Sequence, residues 1–178
     1  VHQLHEAVGN YAYAGASRLL DTSLDQAMQA LADHLMQSVP LQGIFSVDAR
    51  WYAGRLYLLE VNPRLSASMR LYAGVPLMQA HLAGCRQQAL PVLNVPVYSA
   101  SHRILYAGQR LDVSGLAMPD WLEDRPQGGI IEAGQPMCSL YAQGENMFEV
   151  QQQLLQQQEF LKKQWGTYVS ERIQFFND

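Results

Sequence analysis

The stretch Tyr57–Met69, YLLEVNPRLSASM, decides how this chain is read. Tyr57, Leu58 and Leu59 lead into Glu60, Asn62 and Arg64 at alternate positions. Successive side chains of a β-strand point to opposite faces, so alternate residues share one. Upstream, Gly43 to Arg50 has strand character, Ala53-Gly54 gives a turn, and Arg55 to Val61 gives a second strand. The pattern predicts a β-hairpin that Asn62-Pro63 ends. Asp48 and Glu60 each lie six residues from Gly54, which sets the two acids close to opposite one another. Facing residues of an antiparallel pair have Cβ atoms roughly 5 Å apart. Asn62 then joins the face of Glu60.

Two carboxylates and a carboxamide converge in this arrangement. Anions at such spacing repel unless a cation lies between them or one takes a proton. Hard oxygen donors with open positions suit Mg²⁺ that also binds substrate phosphates. Mn²⁺ is the alternative ion. Arg64, just past the strand, is placed to meet a phosphate or carboxylate through two parallel hydrogen bonds. Each residue taken singly has a plainer explanation: a solvated acid, an Asn-Pro turn, a surface arginine. Their shared spacing and face favour the site.

The rest of the chain narrows the function. It has 178 residues, 48% of them apolar, with 16% charged and a net charge of −4. That suits one substantial domain or two small ones around an ordinary core. Nucleic-acid binding needs clustered Lys and Arg. Here the nearest run is Lys162-Lys163, and no lysine precedes it, so no nucleic-acid partner is expected. There is no signal-peptide layout and no apolar run near the roughly 20 residues that a membrane helix needs. No membrane partner is expected, and the location reads as cytoplasmic. Two cysteines, Cys85 and Cys138, are too few for a disulfide scaffold and read as structural thiols. The five histidines form no C-x-x-C or H-E-x-x-H pattern, which argues against zinc. His34 and His81 read as helix-surface or interface groups. Trp51, Tyr52 and Tyr57 read as packing groups.

The coarse organisation is α+β. Residues up to Leu20 predict one or two strands with a turn near Gly15. Ser23 and Gln26 resemble a capping box opening a helix whose stripe is Leu24, Met28, Leu31, Leu35 and Val39. Helices are expected over Ser66 to Tyr72 and Val75 to Gln88, then a proline-punctuated link from Pro91 to Pro96. Beyond Tyr98, short strands over Arg103 to Ala107, Gly129 to Ile131 and Met137 to Ala142 suggest a β-rich module. Asn146 to Gln164 predicts an amphipathic, glutamine-rich helix with Met147, Val150, Leu154, Leu155 and Leu161 as its apolar stripe. The division expected is residues 1–97 and 98–178.

The segments GIFSVD, LLEVNPRLSAS and AGVPL resemble the second half of the ATP-grasp fold, nearest to the carbamoyl-phosphate synthetase and biotin carboxylase branch. The resemblance covers about residues 10–90. It implies an ATP-grasp C-terminal subdomain followed by a small β-rich extension. Past Tyr98 the texture resembles the extension of predicted carboligases related to biotin carboxylase. There, a tight turn held by Asp124 is favoured over a role for Asp124, Arg125 and Pro126 at an active site.

In that family, an acid on the first strand and the Glu and Asn of E-x-N-x-R hold magnesium on ATP, and the Arg assists catalysis. Carried onto this chain, the resemblance makes Asp48, Glu60 and Asn62 the metal ligands and Arg64 the catalytic anion binder. Ser66 and Ser68 join these four as ATP-site residues. It implies a carboxylate–amine ligase working through an acyl phosphate, with ATP and Mg²⁺ as cofactors and a small-molecule carboxylate and amine as substrates. The family's phosphate-binding lysines and glycine-rich loop have no counterpart here. The chain therefore reads as the C-terminal part of a longer enzyme, partnered by a missing N-terminal half and inactive alone. The Phe175-Phe176 tail leaves docking within the chain or across a homodimer open. The alternative function is a non-catalytic module serving assembly or dimerisation.

Overall fold

The computed structural model describes residues 2–5, 13–18, 20 and 22–166. They form an α+β arrangement in which every strand pair is antiparallel. Compactness divides the chain into residues 1–19 with 98–178, and residues 20–97.

In the first of these units, strands β1 (His2–His5), β2 (Tyr13–Arg18), β5 (Ser99–Tyr106) and β8 (Pro136–Gly144) make one sheet in the order β1-β2-β5-β8. Short strands β6 (Leu111–Asp112) and β7 (Ile130–Ile131) pair separately. Helix α3 (Met147–Trp165) packs on β8 and β5. Its buried residues Val150, Leu154, Leu161 and Trp165 share a core with Leu105, Met137 and Leu140. Each fully buried leucine contributes roughly 2 kcal/mol.

The start of α3 follows its sequence signal. Asn146 accepts the Glu149 N–H at 3.0 Å, and Glu149 reaches back to the Glu145 N–H at 3.0 Å. These bonds satisfy backbone donors that a helix end leaves free. The glutamine bias also has a physical reason. Gln153 and Gln157 donate to the Gln143 and Tyr141 carbonyls of the edge strand β8, at 3.1 and 3.0 Å. The side-chain amides thus cover backbone groups that an edge strand would expose.

In the unit of residues 20–97, helix α1 (Thr22–Ser38) begins one residue before the predicted cap. Strands β3 (Ser46–Tyr52) and β4 (Arg55–Asn62) form the predicted hairpin. Ala53 and Gly54 have φ of 50° and 74°, the two-residue turn whose twist matches that of the strands. The segment predicted as a helix from Ser66 is a short 3₁₀ helix, Ala67–Leu71. Helix α2 (Leu77–Cys85) is shorter than predicted: Pro76 caps it, and Gln87 adopts a positive φ just beyond its end.

Two further expectations differ from the structure. The sequence groups residues 1–97 together, but sheet pairing draws the boundary elsewhere. β2 lies beside β5, from Gly15↔Arg103 to Arg18↔Ala100. A ribbon of two strands has little stability alone, and β5 supplies a third. Gly15 is also no turn residue; it lies inside β2. Its φ is 134°, and a Cβ there would fall 2.2 Å from the His102 carbonyl oxygen. Glycine is required by close backbone approach between strands. Further along, Asp124 has φ 50°, in keeping with the predicted tight turn.

Gly15→Ala should lower stability by roughly 3 kcal/mol, from backbone strain plus overpacking. Chemical denaturation checks this; a loss below about 0.5 kcal/mol contradicts the close approach.

Candidate active site on the β3–β4 hairpin

The hairpin register is the central feature. From the turn, the pairs run Tyr52↔Arg55, Trp51↔Leu56, Arg50↔Tyr57 and Ala49↔Leu58. Continued regularly, Asp48 would face Leu59. The register instead shifts between Asp48 and Ala49, giving Asp48↔Glu60, Val47↔Val61 and Ser46↔Asn62. Leu59 is the extra residue of a β-bulge, and it stands 67% exposed. An extra residue on one strand restores facing beyond it while bending the ribbon.

Directly opposed residues lie on the same face, and alternate pairs share that face. One face therefore carries Ser46, Asp48, Arg50 and Tyr52 with Asn62, Glu60, Tyr57 and Arg55. The other carries Val47, Ala49 and Trp51 with Val61, Leu58 and Leu56. Without the bulge, Glu60 would lie opposite Val47 on the apolar side. The sequence count thus named the right partner for Asp48, but the turn is centred between Ala53 and Gly54, and the bulge completes the pairing.

Asp48 and Asn62 are half-buried, and Glu60 is exposed. The Glu60 side chain has no hydrogen-bond or ion-pair partner among the described residues. Beyond β4, Arg64 N–H donates to the Asn62 carbonyl at 2.7 Å, a tight turn through Pro63. The exposed Arg64 guanidinium bonds the Leu65 carbonyl at 3.3 Å and makes no ion pair among the described residues. Ser66 and Ser68 hydroxyls bond one another at 2.7 Å. The structure therefore brings Asp48 and Glu60 together, with Asn62 on the neighbouring pair. Arg64 stands past the strand end, and the two serines form a separate pair opening the 3₁₀ helix.

The donor chemistry fits a hard divalent ion. Two carboxylates and a carboxamide oxygen lie on one face, Glu60 is open to solvent, and no described thiol or imidazole belongs to the set. No group of three or more His, Cys, Asp and Glu side chains suited to a metal occurs among the described residues. A metal at the hairpin would complete its coordination with phosphate and water oxygens.

Some side chains differ from expectation. Trp51, Tyr52 and Tyr57, read as packing groups, are exposed, and the Arg50 guanidinium lies 5.9 Å from the Tyr52 ring centroid. Cys85, read as a structural thiol, is exposed and has His81 beside it, with 3.7 Å between sulfur and Nε2. Their separation of four residues on a helix was the available signal.

Residues 2–68 match a family model described as an ATP-grasp domain. No curated protein matches the sequence. Among solved structures, the chain resembles carboxyaminoimidazole ribonucleotide synthase from Aspergillus clavatus, complexed with ATP, at 14% identity and a TM-score of 0.64. That likeness covers 92% of this chain and 47% of the other. Phosphoribosylamine–glycine ligase from Thermotoga maritima gives 15% identity and a TM-score of 0.62, over 88% and 46%. Urea carboxylase from Kluyveromyces lactis gives 15% and 0.62, over 82% and 15%. The chain thus spans less than half the length of each. These identities define a likeness of fold. The family match covers residues 2–68, and the likeness of fold extends over most of the chain. No described helix is long and apolar enough to cross a membrane.

A crosslinking comparison in a Cys85→Ser background tests the bulge. Asp48→Cys with Glu60→Cys should join through a short bifunctional thiol reagent at least about tenfold faster than Asp48→Cys with Leu59→Cys, because facing Cβ atoms lie roughly 5 Å apart. Equal rates, read by peptide mass mapping, contradict the register.

Proposed function

We propose that this chain supplies the metal-binding part of an ATP- and Mg²⁺-dependent ligase that joins a carboxylate to an amine through an acyl phosphate. The observation that carries the reading is Asp48 facing Glu60, with Asn62 on the same face. The open guanidinium of Arg64 just beyond it adds support.

In such a reaction, a substrate carboxylate oxygen attacks the γ-phosphorus of ATP and ADP leaves. The amine nitrogen then attacks the acyl carbon, the C–O bond to phosphate breaks, and the amine loses a proton. Phosphoryl transfer of this kind is catalysed chiefly by positioning and charge compensation. Asp48, Glu60 and Asn62 would hold Mg²⁺, which supplies charge neutralisation at the phosphate oxygens when bound. Arg64 carries a fixed positive charge with paired donors for the transferring phosphoryl group or the substrate carboxylate. Ser66 and Ser68 offer hydroxyl donors close by in sequence. Phosphate-binding lysines have no source before Lys162. A preceding part of the same enzyme is the proposed partner that provides them.

The test uses the full-length protein. Glu60→Gln should cut steady-state ADP release at least about 100-fold while the melting curve is retained. Glu132→Gln, an exposed acid outside the hairpin, should leave the rate unchanged. Turnover preserved in Glu60→Gln contradicts the assignment.

A further inference from the structure

β8 ends the order of its sheet, so one of its sides has no neighbouring strand among the described residues. In an antiparallel strand the N–H and C=O of one residue point to the same side, and alternate residues share that side. On β8 the outward set is Ser139, Tyr141 and Gln143. Ser139 exchanges both backbone bonds with Glu123, each at 3.0 Å. The next two positions are closed by side chains instead. Gln157 Nε2 donates to the Tyr141 carbonyl at 3.0 Å, and Gln153 Nε2 to the Gln143 carbonyl at 3.1 Å. The Gln157 amide is kept at a cost. Its Oε1 is buried and has no hydrogen-bond partner among the described residues. A buried acceptor left unpaired is destabilising, and an apolar side chain of the same length avoids that penalty. Packing of α3 on the sheet therefore does not explain a glutamine at 157, whereas its contact with the strand edge does.

We propose that Gln153 and Gln157 guard the outer edge of β8 against strand pairing with a second copy of this chain. An open edge is a template for another strand. β8 is 9 residues long and self-complementary. Laid antiparallel on its own copy with Ala142 at the two-fold axis, Tyr141 of one copy faces Gln143 of the other, and the reverse. Both are outward residues, so each facing pair can exchange its N–H and C=O bonds. The carbonyls that such a pairing needs are the ones that Gln157 and Gln153 occupy, and an incoming strand must displace both amides. Glu123 already closes the edge at Ser139, which leaves these two positions to be guarded. Gln152 and Gln156, exposed on the same helix, take no part in the guard.

The test uses the full-length protein. Gln153→Met with Gln157→Met keeps side-chain length and helix propensity but removes both donors. In sedimentation over a concentration series, the mass of this variant should rise to about twice that of the wild type. Amide exchange at Tyr141 and Gln143 should slow as it does so, and the melting temperature at low concentration should not fall. Gln152→Met with Gln156→Met makes the same change in composition and should sediment as the wild type does. Gln153→Met alone, at an exposed position, should associate in the same way at higher concentration, and it decides the matter if the double variant does not fold. Wild-type mass at every concentration overturns the proposal. Equal association by the control pair overturns it too, as does association that leaves exchange at Tyr141 and Gln143 unchanged. A lower melting temperature with unchanged mass would mean that the amides only hold α3 in place, which also overturns it.

Discussion

One unpaired residue in a two-stranded ribbon decides which side chains share its polar face. Strand pairing is set by the turn, and a shift of one residue moves every side chain to the opposite face. The Ala53-Gly54 turn fixes the first four pairs. Leu59 then interrupts the count, and everything beyond it is carried by the new register. The result is a ribbon polar on one side and apolar on the other along its whole length. Asp48, Glu60 and Asn62 gather on the polar side only because Leu59 is extra. Bulges commonly re-aim side chains beside functional sites.

The apolar side of the ribbon is modestly covered within the chain. Trp51 and Leu58 remain about half exposed. The unit built on β5 has the opposite character. Its central strand is buried nearly throughout, polar residues included. Ser17 and Ser101 meet across β2 and β5 with 2.9 Å between their oxygens. Burial lowers Arg103 to about 10. The outer strand β8 is sealed by glutamine amides from α3. The unit built on β5 thus holds the buried core, while the hairpin leaves Glu60 open to solvent.

Much of this was legible in the sequence. The hairpin, the helix from Asn146 and the acid pair follow from periodicity, capping residues and turn chemistry, which act over a few residues. The placement of β2 was not legible, because its partner lies more than eighty residues away. Gly15 looked like a turn for the same reason: only the His102 carbonyl explains it. The bulge at Leu59 was hidden too. A leucine run carries no marker of which residue will be left unpaired, and the correct partner for Asp48 came from a count centred on the wrong point of the turn. The Cys85–His81 contact could have been found from its spacing.

The central claim is that oxygen atoms from both strands of one hairpin face gather around a divalent ion. Titrating the isotope-labelled full-length protein with Mn²⁺ in the presence of ATP, and reading amide line broadening by NMR, tests it most directly. The account predicts that signals from residues 46–48 and 60–62 broaden first and together. Early broadening centred on other acids, such as Asp120 or Glu132, with the hairpin signals unaffected, would contradict it.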